Sequence, residues 1–354
     1  PDRFGNAVIR KYFETRGQPG FAMSPVQKLL YIGDRAMGAL EFRPPLDVGR
    51  SKHENAPLEV ARLVLQARQL IEGKTEDVVP EIMRLGSSAG GARPKAVILR
   101  NRATNTVRSA FATPDPGDEH WIIKFDGVGE LDHPNPLPQP FNRIEYAYRL
   151  MAKAAGIEVA EAELLQERKL AHLLVKRFDR VGGVRIHMHS LGGLEHVDYN
   201  RPGAYSYEQY LRVVRALGLE YPDMEQAYRR VVFNIMGVNQ DDHVKNISFL
   251  MEETGKWRLS PAYDLTYAKG AGFTKMHQMT LRNKTEGFER RDLMALGGEF
   301  GIKRDGADVV AEISDALSQW PALAKKWGVP ADRIARVQQD LRKFPPAKKR
   351  KRSW

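Results

Sequence analysis

The segment Asn239-Gln240-Asp241-Asp242-His243-Val244-Lys245-Asn246 crowds ionisable and amide side chains between an apolar helical stretch and a short apolar strand. After a hairpin comes Ser260-Pro261-Ala262-Tyr263-Asp264-Leu265, which brings one more carboxylate. This set suits phosphoryl transfer, where a carboxylate orients and deprotonates a hydroxyl and oxygen ligands hold Mg²⁺ against nucleotide phosphates. Asp241 fits the base, and Asn246 and Asp264 fit the metal ligands. Lys245 is placed to neutralise charge on the transferred group. The plainer alternative is a polar loop in which Asp242 and His243 only hydrogen-bond the backbone.

Aspartate, asparagine five residues on, hairpin, aspartate is also the order of these roles in protein kinases. A phosphate-gripping element belongs upstream, and Gly86-Ser87-Ser88-Ala89-Gly90-Gly91-Ala92-Arg93-Pro94-Lys95 is the candidate. Its small residues let backbone N–H groups approach phosphate oxygens. It is neither a Walker A loop nor GxGxxG. Lys124, on the apolar strand Trp121 to Phe125, draws weight as a phosphate-binding lysine from its order in the chain.

The elements that must position these residues change character along the chain. Leu29–Ile32 with Ala36–Phe42, Lys95–Leu99 with Thr106–Phe111, and Leu164–Gln166 with Leu170–Val175 read as hairpins. Helices are expected from Pro57 to Glu72 and from a cap at Asn142 to Ala155. Farther on, Tyr207–Leu217, Asp223–Val238, Ala307–Leu317 and Ala331–Leu341 carry apolar residues at helical spacing, interrupted by the hairpin Asn246–Leu250 with Trp257–Leu259. The expected fold class is α+β and bilobed: a strand-rich lobe over 1–177, a helical lobe over 178–344, and a basic tail over 345–354.

Composition narrows the function classes. The 354 residues carry 55 Lys+Arg against 44 Asp+Glu, a net +11, and no cysteine. Disulfides, thiolate zinc sites and iron–sulfur clusters are excluded. No run approaches the roughly 20 apolar residues of a membrane helix, and the start lacks a signal-peptide core, so a cytoplasmic, soluble protein is expected. Seven basic residues lie in Leu341–Trp354; without them 48 basic residues face 44 acidic ones, a net +4. The excess belongs mostly to a tail, solvated or bound to phosphate or a partner.

Five segments together resemble the HipA family: the Gly-rich loop, His120-Trp121-Ile122-Ile123-Lys124-Phe125, Val175-Lys176-Arg177-Phe178-Asp179-Arg180, Asp241-Asp242-His243-Val244-Lys245-Asn246 and Ser260-Pro261-Ala262-Tyr263-Asp264. The resemblance runs from about Leu29 to past Asp264, with the catalytic loop its most specific part. It implies a kinase-like fold and a bacterial serine/threonine kinase toxin using ATP and Mg²⁺. It also implies the roles: Asp241 as base, His243 and Lys245 on catalytic-loop positions, and Asn246 and Asp264 on Mg²⁺. Ser88, Gly90, Gly91, Lys95 and Lys124 would serve ATP phosphates, with Glu145 as the lysine's partner and Lys176 and Phe178 at the adenine hinge. Ser88, or Ser87, would be an inhibitory autophosphorylation site, since phosphate there adds roughly −2 charge where ATP phosphates bind.

The implied partners are a protein substrate, an aminoacyl-tRNA synthetase being the best-known kind, and a small helix-turn-helix antitoxin of the HipB kind. DNA would be met through the antitoxin, with the tail as a second contact, and no membrane is involved. The family pattern has a further N-terminal subdomain, expected in a preceding segment or a separate chain. Two rival readings compete. His187, His189 and His196 beside the acidic loop suggest a metal-dependent hydrolase, and the charge suggests a nucleic-acid-associated pseudokinase scaffold.

Overall fold

The computed structural model describes residues 3–14, 17, 23–46, 57–71, 91, 93–128 and 139–344. Among them, five strands form one antiparallel sheet in the order β2-β1-β3-β5-β4: Lys95–Asn101 (β1), Thr106–Ser109 (β2), Asp118–Lys124 (β3), Ala162–Glu167 (β4) and Leu170–Lys176 (β5). Strand β1 is buried along its whole length. On one face, Ala96, Ile98, Trp121, Ile123 and Leu174 pack with Phe4, Val8 and Tyr12 of the helix Arg3–Glu14 and with Leu63 and Ala67 of the helix Val60–Ile71. Alternation turns Lys95, Val97 and Leu99 to the opposite face. There the register sets Lys95 across from Lys124.

Of the three hairpins expected before residue 176, two are present, with Ile98 opposite Ser109 and Leu164 opposite Leu173. The third is not. Residues 25–32 form the helix Pro25–Ile32, followed by a 3₁₀ turn at Gly33–Arg35. Ser24 accepts the Gln27 N–H at 3.3 Å, and Gln27 returns an acceptor to the Ser24 N–H at 2.9 Å. This capping box, with proline in the first turn, outweighs a four-residue apolar run that suits helix and strand alike. Asn142 is also corrected: it lies inside the helix Phe141–Ala154, not at its cap. Its side-chain amide donates to the Lys124 and Ala171 carbonyls at 3.0 and 3.1 Å, tying the helix to β3 and β5.

By contact density the chain parts into two units, one of Pro1–Tyr146 with Ala160–Met188, the other of Ala147–Val159 with His189–Trp354. The first holds the sheet. Its strand end is fixed by Asp179, which accepts from Arg177 at 2.7 and 3.0 Å, from Arg180 at 2.8 Å and from the Gly38 N–H at 2.7 Å. Arg180 also donates to the Ala36 and Gly38 carbonyls. Residues 36–42, expected as a strand, form none, and Ala36 and Gly38 are held by these side chains. Burial and the charges of Arg177 and Arg180 push the neighbouring His120 down to about 4.

The second unit is helical around Tyr221–Met236, whose Val231, Val232, Phe233 and Ile235 are fully buried. Tyr148 packs edge-on against Phe233 and Trp320 and donates to the Gly237 carbonyl at 2.9 Å. The helices Tyr207–Ala216, Ala307–Ser318 and Ala331–Asp340 occupy expected stretches, whereas Arg290–Glu299 and Trp320–Lys326 were not expected. Ser248–Met251 pairs antiparallel with Trp257–Leu259 as the expected hairpin. Among the described residues no helix is long and apolar enough to cross a membrane.

Burial pushes the Asp179 carboxyl up, but its arginine partners and the Gly38 N–H outweigh that, and the net direction is down. A folded-state value below the unfolded one contributes stability above about pH 4, lost as pH falls through the folded value. Asp179→Asn strands two buried guanidinium groups and should cost about 3–5 kcal/mol at pH 7. Urea unfolding at pH 7 and in steps below pH 4 checks this: the gap to wild type should narrow with acid.

Candidate functional site

In the sheet unit, Lys124 and Glu145 form a buried ion pair, with Nζ 2.5 Å from Oε1. The lysine comes from the end of β3 and the glutamate from the second turn of Phe141–Ala154, which Asn142 holds against the same strand end. Lys95 is buried on the neighbouring strand opposite Lys124. A Cβ on Gly91, at φ +106°, would come within 2.6 Å of the Lys95 ammonium, so the glycine admits the lysine tip beside its backbone. Two lysines side by side raise the local positive potential, as an anion site requires. Ser87, Ser88 and Gly90 lie outside the described residues, as does the tail over 345–354.

Lys176 is placed differently. Its register partner is Trp121, so its side chain stands on the opposite face of the sheet from Lys124. There it pairs with Glu119, and with Glu161 at 3.4 Å. The Lys176 side chain is thus engaged on the face away from Lys124. Phe178 is half-buried between Arg177 and Asp179, on the segment that the Asp179 cluster immobilises.

In the helical unit, the acidic loop leaves Tyr221–Met236 through two residues beyond the helix end. Val238 sits at φ +55°, an unusual conformation for a β-branched residue. Its carbonyl accepts the Ala268 N–H at 3.1 Å, while the Gln240 N–H reaches the Ala268 carbonyl at 2.9 Å. The Asp241 side chain is 41% exposed. His243 Nε2 stands 3.7 Å from Asp241 Oδ1, too far for a hydrogen bond, and its ring meets Tyr199 and Phe273 edge-on. The Lys245 ammonium lies over the Tyr199 ring at 4.3 Å.

Asn246 donates its side-chain amide to the Asp241 carbonyl at 2.8 Å. That contact orients the amide so that Oδ1 is the end able to meet a cation. Tyr263 donates to the Lys245 carbonyl at 2.8 Å and lies 2.6 Å from the Ser248 hydroxyl. One tyrosine thus joins the neighbour of Asn246 to the neighbour of Asp264. Asp264 itself is held at φ +54°, a left-handed conformation that aspartate tolerates better than most side chains. An amide oxygen and a carboxylate are hard donors, and they suit Mg²⁺, which takes few protein ligands and completes its shell with phosphate and water. Among the described residues, no three His, Cys, Asp or Glu side chains gather as a metal cluster.

Asp242, adjacent to the exposed Asp241, is buried. Its carboxylate accepts from Tyr207, from His277 Nδ1 at 2.7 Å and from the Gln278 N–H at 2.7 Å. Sequence reasoning missed Tyr207 and His277, because nothing in their spacing ties them to the loop, and gave Tyr263 no role although it lies in the quoted segment. His189 sits against its own strand end, with Nδ1 3.2 Å from the Ser190 carbonyl.

Comparison with known proteins agrees with the mixed helix-and-strand architecture. The structure of the Shewanella oneidensis MR-1 toxin–antitoxin system, HipA and HipB with operator DNA, superposes on 96% of this chain and 83% of that chain, with TM-score 0.66 at 17% identity; the fold is HipA-like. The HipA-like C-terminal domain model matches residues 87–343, and the chain belongs to that family. "Putative kinase Y4dM" of Sinorhizobium fredii is 30% identical over 289 residues, 75% of this chain and 61% of its own. A "Putative kinase" of Haemophilus influenzae is 27% identical over 166 residues, 42% of this chain and 47% of its own. The chain thus spans about half to three-fifths of the length of these curated relatives.

Removing the Tyr263 hydroxyl takes a donor from the Lys245 carbonyl and a partner from Ser248. Tyr263→Phe should lower stability by about 1–3 kcal/mol, read as a fall in Tm. Ser248→Ala combined with it should be less than additive, because both remove the same contact.

Proposed function

We propose that this chain carries the catalytic machinery of a HipA-like serine/threonine protein kinase, transferring the γ-phosphoryl group of ATP to a protein hydroxyl. The observation that carries this reading is the linkage of the two loops of the helical unit. Asn246 is bonded to the Asp241 carbonyl, and Tyr263 couples Lys245 to the turn that presents Asp264. Base and hard oxygen ligands thereby come as one rigid set. Such preorganisation is what phosphoryl transfer asks of a protein that does little covalent chemistry itself.

Asp241 accepts the proton of the substrate hydroxyl as its oxygen bonds to the γ-phosphorus and the bond to the departing ADP oxygen breaks. Asn246 Oδ1 and the Asp264 carboxylate would hold Mg²⁺, which would supply charge neutralisation at the phosphates. Lys124, kept in place by Glu145, holds ATP phosphates together with Lys95, Gly90, Gly91 and Ser88. Lys245, over the Tyr199 ring, neutralises charge on the transferred group, and His243 lines the loop beside Asp241. The main chain around Lys176 and Phe178 receives the adenine.

Phosphorylation at Ser88, or at Ser87, is the inhibitory step in this reading. The solved HipA relative is bound to HipB and operator DNA, which supports a small helix-turn-helix antitoxin as partner here, with DNA reached through it. The protein substrate and any contact of the basic tail with DNA are further parts of the proposal.

Asp241→Asn keeps the shape and removes the base. Transfer from γ-labelled ATP to a protein acceptor should fall by about 10²–10⁴-fold, with an unchanged melting temperature. Wild-type rates in a folded Asp241→Asn protein would sink the reading.

A further inference from the structure

Asp242 is a carboxylate whose side chain is wholly enclosed, and so is its partner His277. Isolated burial of a carboxylate is costly, and this one is offset by three donors from two separate elements. Tyr207, at the start of its helix, points its hydroxyl at Oδ2, and burial together with the Asp242 charge pushes that phenol well above its usual range, so it remains a donor. His277 Nδ1 gives a second hydrogen bond to Oδ2, and the Gln278 N–H gives one to Oδ1. A carboxylate only accepts, so the His277 proton on this side sits on Nδ1. Arg342 lies close enough for its charge to interact with Asp242.

The same short segment grips the loop again. The Gln278 side-chain amide donates to the Gln240 carbonyl at 3.3 Å, to the Met276 carbonyl at 2.9 Å and to the Phe273 carbonyl. On the other side, Asn239 donates to Asn234, which donates to the Tyr207 hydroxyl. Residues 239, 240 and 242 are each held from inside the fold, and Asp241 is the member between them whose carboxylate reaches solvent.

We infer that Asp242 and His277 are positioning residues for Asp241: a buried carboxylate–imidazole clamp that fixes the loop backbone so the proposed base is presented outward in one orientation. The inference rests on the kinase reading for what the presented carboxylate does, but the clamp is also a claim about the loop alone. Neither residue touches substrate. A shift of about 1 Å in a reacting group can cost about 10²-fold in rate, so the clamp acts on turnover more than on nucleotide affinity.

The experiment compares wild type, His277→Ala, His277→Asn and Asp242→Asn in two measurements. Steady-state phosphotransfer should show kcat for His277→Ala lowered by about 10²-fold, with KM for ATP within about 3-fold. His277→Asn, which keeps a donor near the place of Nδ1, should recover most of the loss. Amide hydrogen exchange should show faster exchange over residues 240–245 in His277→Ala and Asp242→Asn, with the protection of the helix 221–236 unchanged. Exchange over 240–245 as slow as in wild type overturns the clamp, whatever the activity. So does a folded His277→Ala protein with wild-type kcat, or a His277→Asn protein as impaired as His277→Ala. A wild-type protein without any phosphotransfer, with exchange over 240–245 still faster in the two variants, would instead strike the kinase reading and leave the clamp standing.

Discussion

The helical unit is organised around one enclosed negative charge. Once Asp242 is buried, its oxygens must be met by donors, and Tyr207, His277 and Gln278 are the groups that meet them. Each donor commits the element it comes from. Tyr207 fixes the start of its helix against Asn234, and His277 and Gln278 fix the segment following the 3₁₀ turn at Phe273–Lys275. A polar loop that would otherwise sample many conformations is left with little freedom. Asp241 and Asn246 inherit that rigidity by being its neighbours in sequence.

The sheet unit meets a comparable demand with a different pair. Lys124 is a buried cation at the end of a strand, and Glu145 neutralises it from a helix that Asn142 fastens to the same strand. Lys95 adds a second cation on the facing strand, its tip beside the Gly91 backbone. Two cations side by side favour a bound anion. Lys176, with Glu119 and Glu161 on the far face, belongs to the surface network that staples β3, β4 and β5 together.

The strands of the sheet were legible because apolar runs bounded by turn residues have few other readings, and the long helices because their apolar period is unbroken. Leu29–Ile32, expected as a strand, is helical: four residues are too short to show a period, and the decisive signal is the Ser24–Gln27 box ahead of them. Of the candidate site, Asp241, Asn246 and Asp264 stood out by type and order. The residues that hold them did not. Tyr207 and His277 lie tens of positions away from Asp242 and carry no local signature, and the parity that turns Lys176 away from Lys124 depends on strand register. The +11 that first suggested nucleic acid owes most of its excess to the final residues, largely outside the described structure, while the described site is defined by a few acidic and amide groups.

Membership of the HipA-like C-terminal domain family and the linked loops of the helical unit lead to one central claim, that Asn246 and Asp264 bind a nucleotide through Mg²⁺. Calorimetric titration of the purified protein with a non-hydrolysable ATP analogue, with Mg²⁺ and with EDTA, tests it most directly. The account predicts binding that depends on Mg²⁺ and falls at least about tenfold, roughly 1.4 kcal/mol, in Asp264→Asn. Equal affinity in EDTA, or an Asp264→Asn protein that binds the Mg²⁺ complex as wild type does, would contradict it.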